Sequence, residues 1–239
     1  MDALPPIRLQ TPPPAPATVI AYYDELAERY DSNRFGHSYG RYVDAQERRL
    51  LQRWQEPCAG GLILDLGCGT GRLLDLATHG LDASQAMVRV ARCHHPGKPV
   101  FHALAQHVDR LDLTFDAIFC LHLFMHLSLD EFASVMHACF KRVRLGGTLI
   151  FDVPSVHRRQ VTGFQPQGWH AATALSIEGV DRLTRPYWQR RACRGVLFFP
   201  IHRFPPRVRR FCRPWDDLIG STVLKRWSSY LVFLLERRP

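Results

Sequence analysis

With 239 residues, 46% of them hydrophobic, the chain is long enough to bury a full core and too apolar to be read as disordered. Seven scattered cysteines with no C-x-x-C pair argue against a disulfide framework or a zinc site and for reduced thiols in a cytoplasmic setting. The net charge of +9 is concentrated: residues 182–239 hold 13 Arg and one Lys against three carboxylates, a net +11 that leaves −2 for the rest, which suits an acidic partner or a solvated basic surface.

Six prolines fall within the first 17 residues, so residues 1–17 read as a disordered, partly polyproline tail and not as a leader peptide. The folded domain is expected over residues 18–239, with no apolar run near the roughly 18 residues of a membrane span. Apolar residues at 19, 22, 23, 26, 27 and 30 predict a helix over Thr18–Tyr30. Arg34–Tyr42, with Gly36 and Gly40, reads as a mobile loop. Val43, Leu50, Leu51 and Trp54 make one stripe of a helix over Tyr42–Gln55. Residues 18–60 are thus a helical cap.

Leu62–Leu73 reads Leu-Ile-Leu-Asp-Leu-Gly-Cys-Gly-Thr-Gly-Arg-Leu. An apolar run ends in Asp65, glycines follow at 67, 69 and 71, and helix formers resume: a buried strand, a sharp turn and a helix start. Glycines in such a turn take φ > 0 and let a ligand lie against bare backbone. The dinucleotide fingerprint does not fit, because Arg72 stands at its third glycine and Asp82 follows Gly71 by 11 positions, against about 20 in that motif. A phosphate loop ending in G-K-[ST] is absent. The next helix has room for about two turns, strand two falls within Ala77–Leu81, and Ser84 is a good N-cap for a helix that carries Met87 one turn in. Strands are expected at Val100–Ala103, Phe115–Cys120, Leu145–Val153, Gly195–Phe199 and Ser229–Glu236, a helix at Ala133–Arg144, and loop or insert at Val156–Gln167.

These residues resemble the first motif of the class I S-adenosylmethionine-dependent methyltransferases, whose loop carries an acidic residue and G-x-G-x-G. Asp82-Ala-Ser-Gln-Ala-Met-Val-Arg-Val-Ala91 is similar to the D-x-S-x-x-M-x-x-x-A that follows strand two in many small-molecule members. Tyr22 to Asp31 resembles their opening YYD-x-x-A-x-x-YD helix, and Leu145–Asp152 their L-x-x-G-G-x-L-I-F-D. The resemblance implies an α/β, Rossmann-like fold with a seven-stranded, mostly parallel sheet in the order 3-2-1-4-5-7-6. Helices would flank both faces, residues 61–153 would form the cofactor-binding core, and residues 154–239 would supply a basic acceptor-side cover and the last strands. It implies S-adenosylmethionine as cofactor, held by Tyr30, Asp65, Gly67, Cys68, Gly69, Gly71, Asp82, Ala83, Met87 and Cys120, with Asp82 on the ribose. One departure stands out: the family's carboxylate beyond strand three is missing from Ala103-Leu104-Ala105-Gln106, which leaves adenine to backbone or Gln106.

The acceptor would meet Cys120-Leu-His122-Leu-Phe-Met-His126 beyond strand four. His126 is the first candidate for a base, His122 the second, and no metal is expected because H-E-x-x-H is not formed. The [N/D]-P-P-[Y/F] run of base methylation is absent, which disfavours nucleic acid and favours a small-molecule acceptor with a hydroxyl on an aromatic or lipophilic framework. Two alternatives stay open: an RNA methyltransferase, from the Arg- and Trp-bearing segment after strand six, and a membrane-peripheral methyltransferase of a quinone or lipid precursor, weakly associated with an anionic membrane surface. Phe211, Trp215, Leu218, Ile219 and Leu224 could form the apolar face there, although Pro214 and Gly220 should break any long helix.

Overall fold

A computed structural model describes residues 16–165 and 173–239. The proline-rich residues 1–15 and residues 166–172 of the expected cover lie outside the described residues. Seven strands form one sheet in the order β3-β2-β1-β4-β5-β7-β6. They are β1 (Ile63–Leu66), β2 (His79–Asp82), β3 (Val100–His102), β4 (Phe115–Cys120), β5 (Val143–Pro154), β6 (Trp188–Val196) and β7 (Tyr230–Arg237). Pairing from β3 through β5 is parallel, whereas β7 runs antiparallel to both β5 and β6.

Residues along the central strands alternate between two cores. Leu64, Ile118, Phe151 and Phe233 go to one face, where Phe132, Val135 and Met136 of α5 (Leu129–Arg142) cover them. Ile63, Phe119, Ile150 and Val232 go to the other, against Tyr42, Val43 and Leu51 of α3 (Ser38–Gln55) and Val88 and Ala91 of α4 (Gln85–His94). Both faces are buried, which is why β1 and β4 read as continuous apolar runs.

Ahead of α3 come α1 (Pro16–Leu26) and α2 (Tyr30–Arg34). The loop expected at Arg34–Tyr42 is mostly the start of α3. Its Gly40 is required there, because a Cβ would collide with the carbonyl of Arg34. The expected two-turn helix after the glycine loop is absent, and a single 3-10 turn, Leu74–Leu76, fills the crossover. Lys98 Nζ reaches the carbonyls of Leu74 (2.6 Å) and Ala77 (2.5 Å), which a helix would have satisfied internally.

Beyond β5 the sequence reading was least accurate. Val156–Thr162, expected as loop, is helix α6, capped by Ser155 and stopped by Gly163 at φ 63°. Helix α7 spans Ile177–Thr184, and β6 begins seven residues before the expected Gly195. Helix α8 (Pro206–Ile219) runs straight through Pro214, the residue expected to break it. Pro214 lies on the exposed side, so the carbonyl of Arg210 that loses its partner can be solvated. Among the described residues no helix is long and apolar enough to cross a membrane.

Candidate active site

The glycine turn between β1 and β2 is built on left-handed backbone: φ is 77° at Gly67, 55° at Gly69 and 87° at Gly71. The N–H groups of Gly67 and Cys68 both donate to the carbonyl of Leu81, at 2.7 and 3.0 Å. The Cys68 side chain turns inward against Gly80. Gly69 donates to Asp82 Oδ2 at 2.8 Å, and the Ser84 N–H to Asp82 Oδ1 at 2.8 Å. Asp82 therefore braces the turn while ending β2. Burial raises its carboxyl despite those backbone donors. A Cβ on Gly69 would meet nothing within 4 Å, so this side of the turn is open to a ligand.

Asp65 ends β1's apolar run and is 4% exposed. Burial pushes its carboxyl up to about 8, with Arg72 opposing. No hydrogen bond reaches it from the described residues. Ser84 caps α4 as expected, accepting from the Met87 N–H at 3.1 Å. Met87 is fully buried in a small cluster with Ala27, Tyr23 and Tyr30, so the first helices cover it. The carbonyl of Ala83 accepts from His102 Nε2 at 3.0 Å. Cys120 is wholly buried at the end of β4, and burial pushes its thiol well up.

Two aspartates that no site reasoning singled out fasten α1 and α2 to this loop. Asp24 Oδ1 accepts from Ser84 Oγ (2.6 Å) and the Ala86 N–H (3.1 Å), and Asp31 Oδ1 from Thr70 Oγ1 (2.7 Å). They are the two acidic positions of the YYD-x-x-A-x-x-YD pattern, which was the available signal.

A cavity of about 800 Å³ lies where these helices meet the ends of β4 and β7. Its walls include Tyr22, Tyr23, Tyr30, Tyr39 and Tyr230, with Arg34, Met125, His122 and His126, and no carboxylate is among its described lining residues. Of the expected site residues, Tyr30, His126 and the second candidate base His122 line it; the glycine turn, Asp65, Asp82, Ala83, Met87 and Cys120 are not among its described lining residues. His126 sits in the 3-10 turn Phe124–His126, with Nε2 3.0 Å from Tyr23 Oη. Two residues on, Ser128 forms the capping box of α5 with Glu131. Burial keeps Tyr23 a neutral phenol.

His122 turns elsewhere. Its backbone is left-handed, at φ 61°, a strained setting for a non-glycine residue. Its N–H donates to Asp152 Oδ1 at 2.6 Å and its Nε2 donates to Glu47 Oε1 at 2.6 Å. Burial alone would lower its pKa, but Glu47 and then Asp152 outweigh this and lift it to about 9. Burial would raise Glu47, yet the charges of His122 and Arg72 hold it at about 2. Arg72 completes the chain of charges, with 2.8 Å to Glu47, 2.6 Å to Asp44, and its guanidinium 3.9 Å above the Phe35 ring. His122 therefore carries its proton at neutral pH and cannot accept another.

A methyltransferase-domain family profile matches residues 64–151, the stretch from β1 into β5. The chain is 32% identical over 243 residues to the uncharacterized protein MJ1252 of Methanocaldococcus jannaschii, covering 90% of this chain and 89% of that one. It is 32% identical over 152 residues to the ubiquinone biosynthesis O-methyltransferase of Thiobacillus denitrificans, covering 57% and 62%. The magnesium protoporphyrin IX methyltransferase of Synechocystis PCC 6803, solved with S-adenosylmethionine, shares the fold at a TM-score of 0.62 and 14% identity, over 98% of this chain and all of that one. The groups at the glycine turn fit the same cofactor: an open cradle at Gly69, a carboxylate at the end of β2, and a buried carboxyl at Asp65 to which no described residue donates a hydrogen bond. Fold, loop and profile agree: residues 64–151 match a methyltransferase domain, set in a sheet with the fold of the S-adenosylmethionine-dependent methyltransferases.

Proposed function

We propose that the protein methylates a hydroxyl on a small aromatic or lipophilic acceptor bound in the tyrosine-walled cavity, with His126 as the base. The observation that carries this reading is the His126–Tyr23 pair inside that cavity, beyond the end of β4. At about 800 Å³ the space suits a cofactor's reacting end together with a small acceptor, within the usual span of ligand pockets. The name of the Thiobacillus relative, an O-methyltransferase of ubiquinone biosynthesis, supports an oxygen acceptor on a lipophilic ring.

S-adenosylmethionine supplies an electrophilic methyl group on a sulfonium, a leaving group good enough that alignment is the main demand. The turn at Gly67, Cys68, Gly69 and Gly71 offers backbone to it. Asp65 offers a counter-charge to its ammonium, and Asp82 offers carboxylate lone pairs to its ribose. Met87 and Cys120 are buried behind these groups, where they back the site through packing. The face of Tyr30 suits the cationic end. Tyr23 Oη sits 3.0 Å from His126 Nε2, so the proton would move as a relay: Tyr23 Oη would take the acceptor's hydroxyl proton and pass its own to Nε2, while the methyl group goes to the acceptor oxygen and the electron pair stays on sulfur. The tyrosine walls exclude water. Phe164, Gln165 and Leu197 reach the cavity from the C-terminal third of the chain and form part of the cover on the acceptor side.

The test is activity with methyl-labelled cofactor on a small-molecule extract and, in parallel, on bulk RNA. Label in a low-mass phenol or other hydroxyl compound supports the reading. Label in RNA, falling steeply with salt as phosphate contacts require, would overturn it.

A further inference from the structure

We propose that the outer face of α8 docks the protein on an anionic lipid surface. Val208, Phe211, Trp215 and Leu218 recur at helical spacing and are 45%, 62%, 62% and 55% exposed. Side chains three and four apart share one helix face, so these four make a single apolar stripe. The turn Val223–Trp227, packed beside α8, extends it with exposed Val223, Leu224 and Trp227.

The charges on α8 are sorted by face. Both of its acids point inward. Asp216 is buried, accepting from Tyr42 Oη at 2.9 Å and from the Phe198 N–H at 2.6 Å. Asp217 accepts from Gln46 Nε2 at 3.2 Å and pairs with Arg49. Arg209 also faces the body, reaching Ser38 Oγ at 2.7 Å. Arg207 and Arg210 are exposed beside the stripe, and neither makes an ion pair among the described residues. Arg210 stacks its guanidinium 4.7 Å from the Phe211 ring centre, and Arg226 lies 5.6 Å from that of Trp227.

An outer face of aromatic and aliphatic groups edged by unpaired guanidinium groups, with every helix carboxylate withdrawn, matches the headgroup boundary of an anionic bilayer. The rings would enter the acyl boundary and the arginines would meet lipid phosphates. A second copy of the chain is a poor occupant, because a two-fold contact brings the same arginines against each other. The face is independent of the transfer chemistry, since none of these residues lines the cavity.

The experiment is co-sedimentation of the full chain with phosphatidylglycerol vesicles and with phosphatidylcholine vesicles, using wild type, Phe211→Glu/Trp215→Glu, and Arg207→Gln/Arg210→Gln. All four positions are exposed, so circular dichroism and melting should stay at wild type. Wild type should pellet with phosphatidylglycerol and remain in solution with phosphatidylcholine. Either double variant should bind at least about tenfold more weakly. Wild type that stays in solution with both lipids overturns the proposal. So does undiminished binding by the aromatic variant. A wild-type dimer that the aromatic variant dissociates would assign the face to a second copy, and binding to bulk RNA lost only in the arginine variant would assign it to nucleic acid.

Discussion

Tyr23 Oη and His126 Nε2, 103 positions apart in the chain, meet at 3.0 Å inside the cavity. The contact joins the first helix to the turn beyond β4, so the cap supplies half of the proposed proton-accepting pair. His126→Ala should lower turnover by about 10²–10⁴, the usual span for a positioned base, and leave cofactor affinity nearly unchanged. Tyr23→Phe should cost less, since the imidazole remains. Single-turnover rates with calorimetric cofactor titration separate the outcomes. A loss below about threefold in His126→Ala would mean that positioning alone drives transfer.

Asp82 has two structural donors before any ligand arrives, Gly69 and Ser84. Asp82→Ala should therefore weaken cofactor binding at least about tenfold and also loosen the turn, since charge-assisted bonds are worth about 1.5–3 kcal/mol each. Thermal melting without ligand reports the second effect, and calorimetry the first. Normal cofactor affinity in this variant would remove Asp82 from the binding site.

With Asp65 proposed beside the cofactor's ammonium, binding should be pH-dependent. The Asp65 carboxyl is raised from 3.8 to about 8, so near neutrality it holds a proton. Its charged form is penalised, and that penalty grows as pH climbs from the lower value toward the upper. A cationic ligand group beside it would offset the penalty and expel the proton. Cofactor titrations in buffers of different ionisation heat should show proton release near neutral pH, with affinity rising toward about pH 8. Asp65→Asn should abolish the release. Identical heats in all buffers for wild type would refute the coupling.

The pair His122–Glu47 sets a stability window. His122 is raised from 6.5 to about 9, so its contribution is complete below the first value and is lost as pH rises through the second. Glu47 is lowered from 4.5 to about 2, so its contribution is complete above the first and lost as pH falls through the second. Both shifts report one interaction and are not summed. Unfolding free energy should drop by on the order of 3 kcal/mol on the alkaline side, and His122→Gln should flatten that limb. A wild-type curve already flat there would show that the pair adds nothing.

The core strands and the loop were legible because their signals are local: an apolar run, glycines at fixed spacing, and a serine cap within 25 residues of one another. Strand β6 was misplaced because it is an edge strand whose Gln189, Arg190 and Arg191 face solvent, which erases the apolar pattern. Helix α6 has no buried residue, so it leaves no stripe to read. At the site, Asp24 acts across 60 positions on Ser84 and Glu47 across 75 on His122. Contacts of that range follow from packing: the motif around Asp24 marks the residue but not its partner, and Glu47 carries no local mark at all.

The antiparallel strand has a consequence for assembly during synthesis. Strand β7 lies between β5 and β6, although it is made after both, and among the described residues β6 pairs with no other strand. While residues 230–237 are still inside the ribosome, a nascent chain can complete the parallel half of the sheet, from β3 to β5. It must then leave the free edge of β5 and the whole of β6 without partners. Leu231, Phe233 and Leu235 seal one core and Val232 the other only when that last strand slides into the gap. The cofactor loop can thus take shape before the acceptor side is closed, and Tyr230 is the last residue of the cavity wall to be delivered.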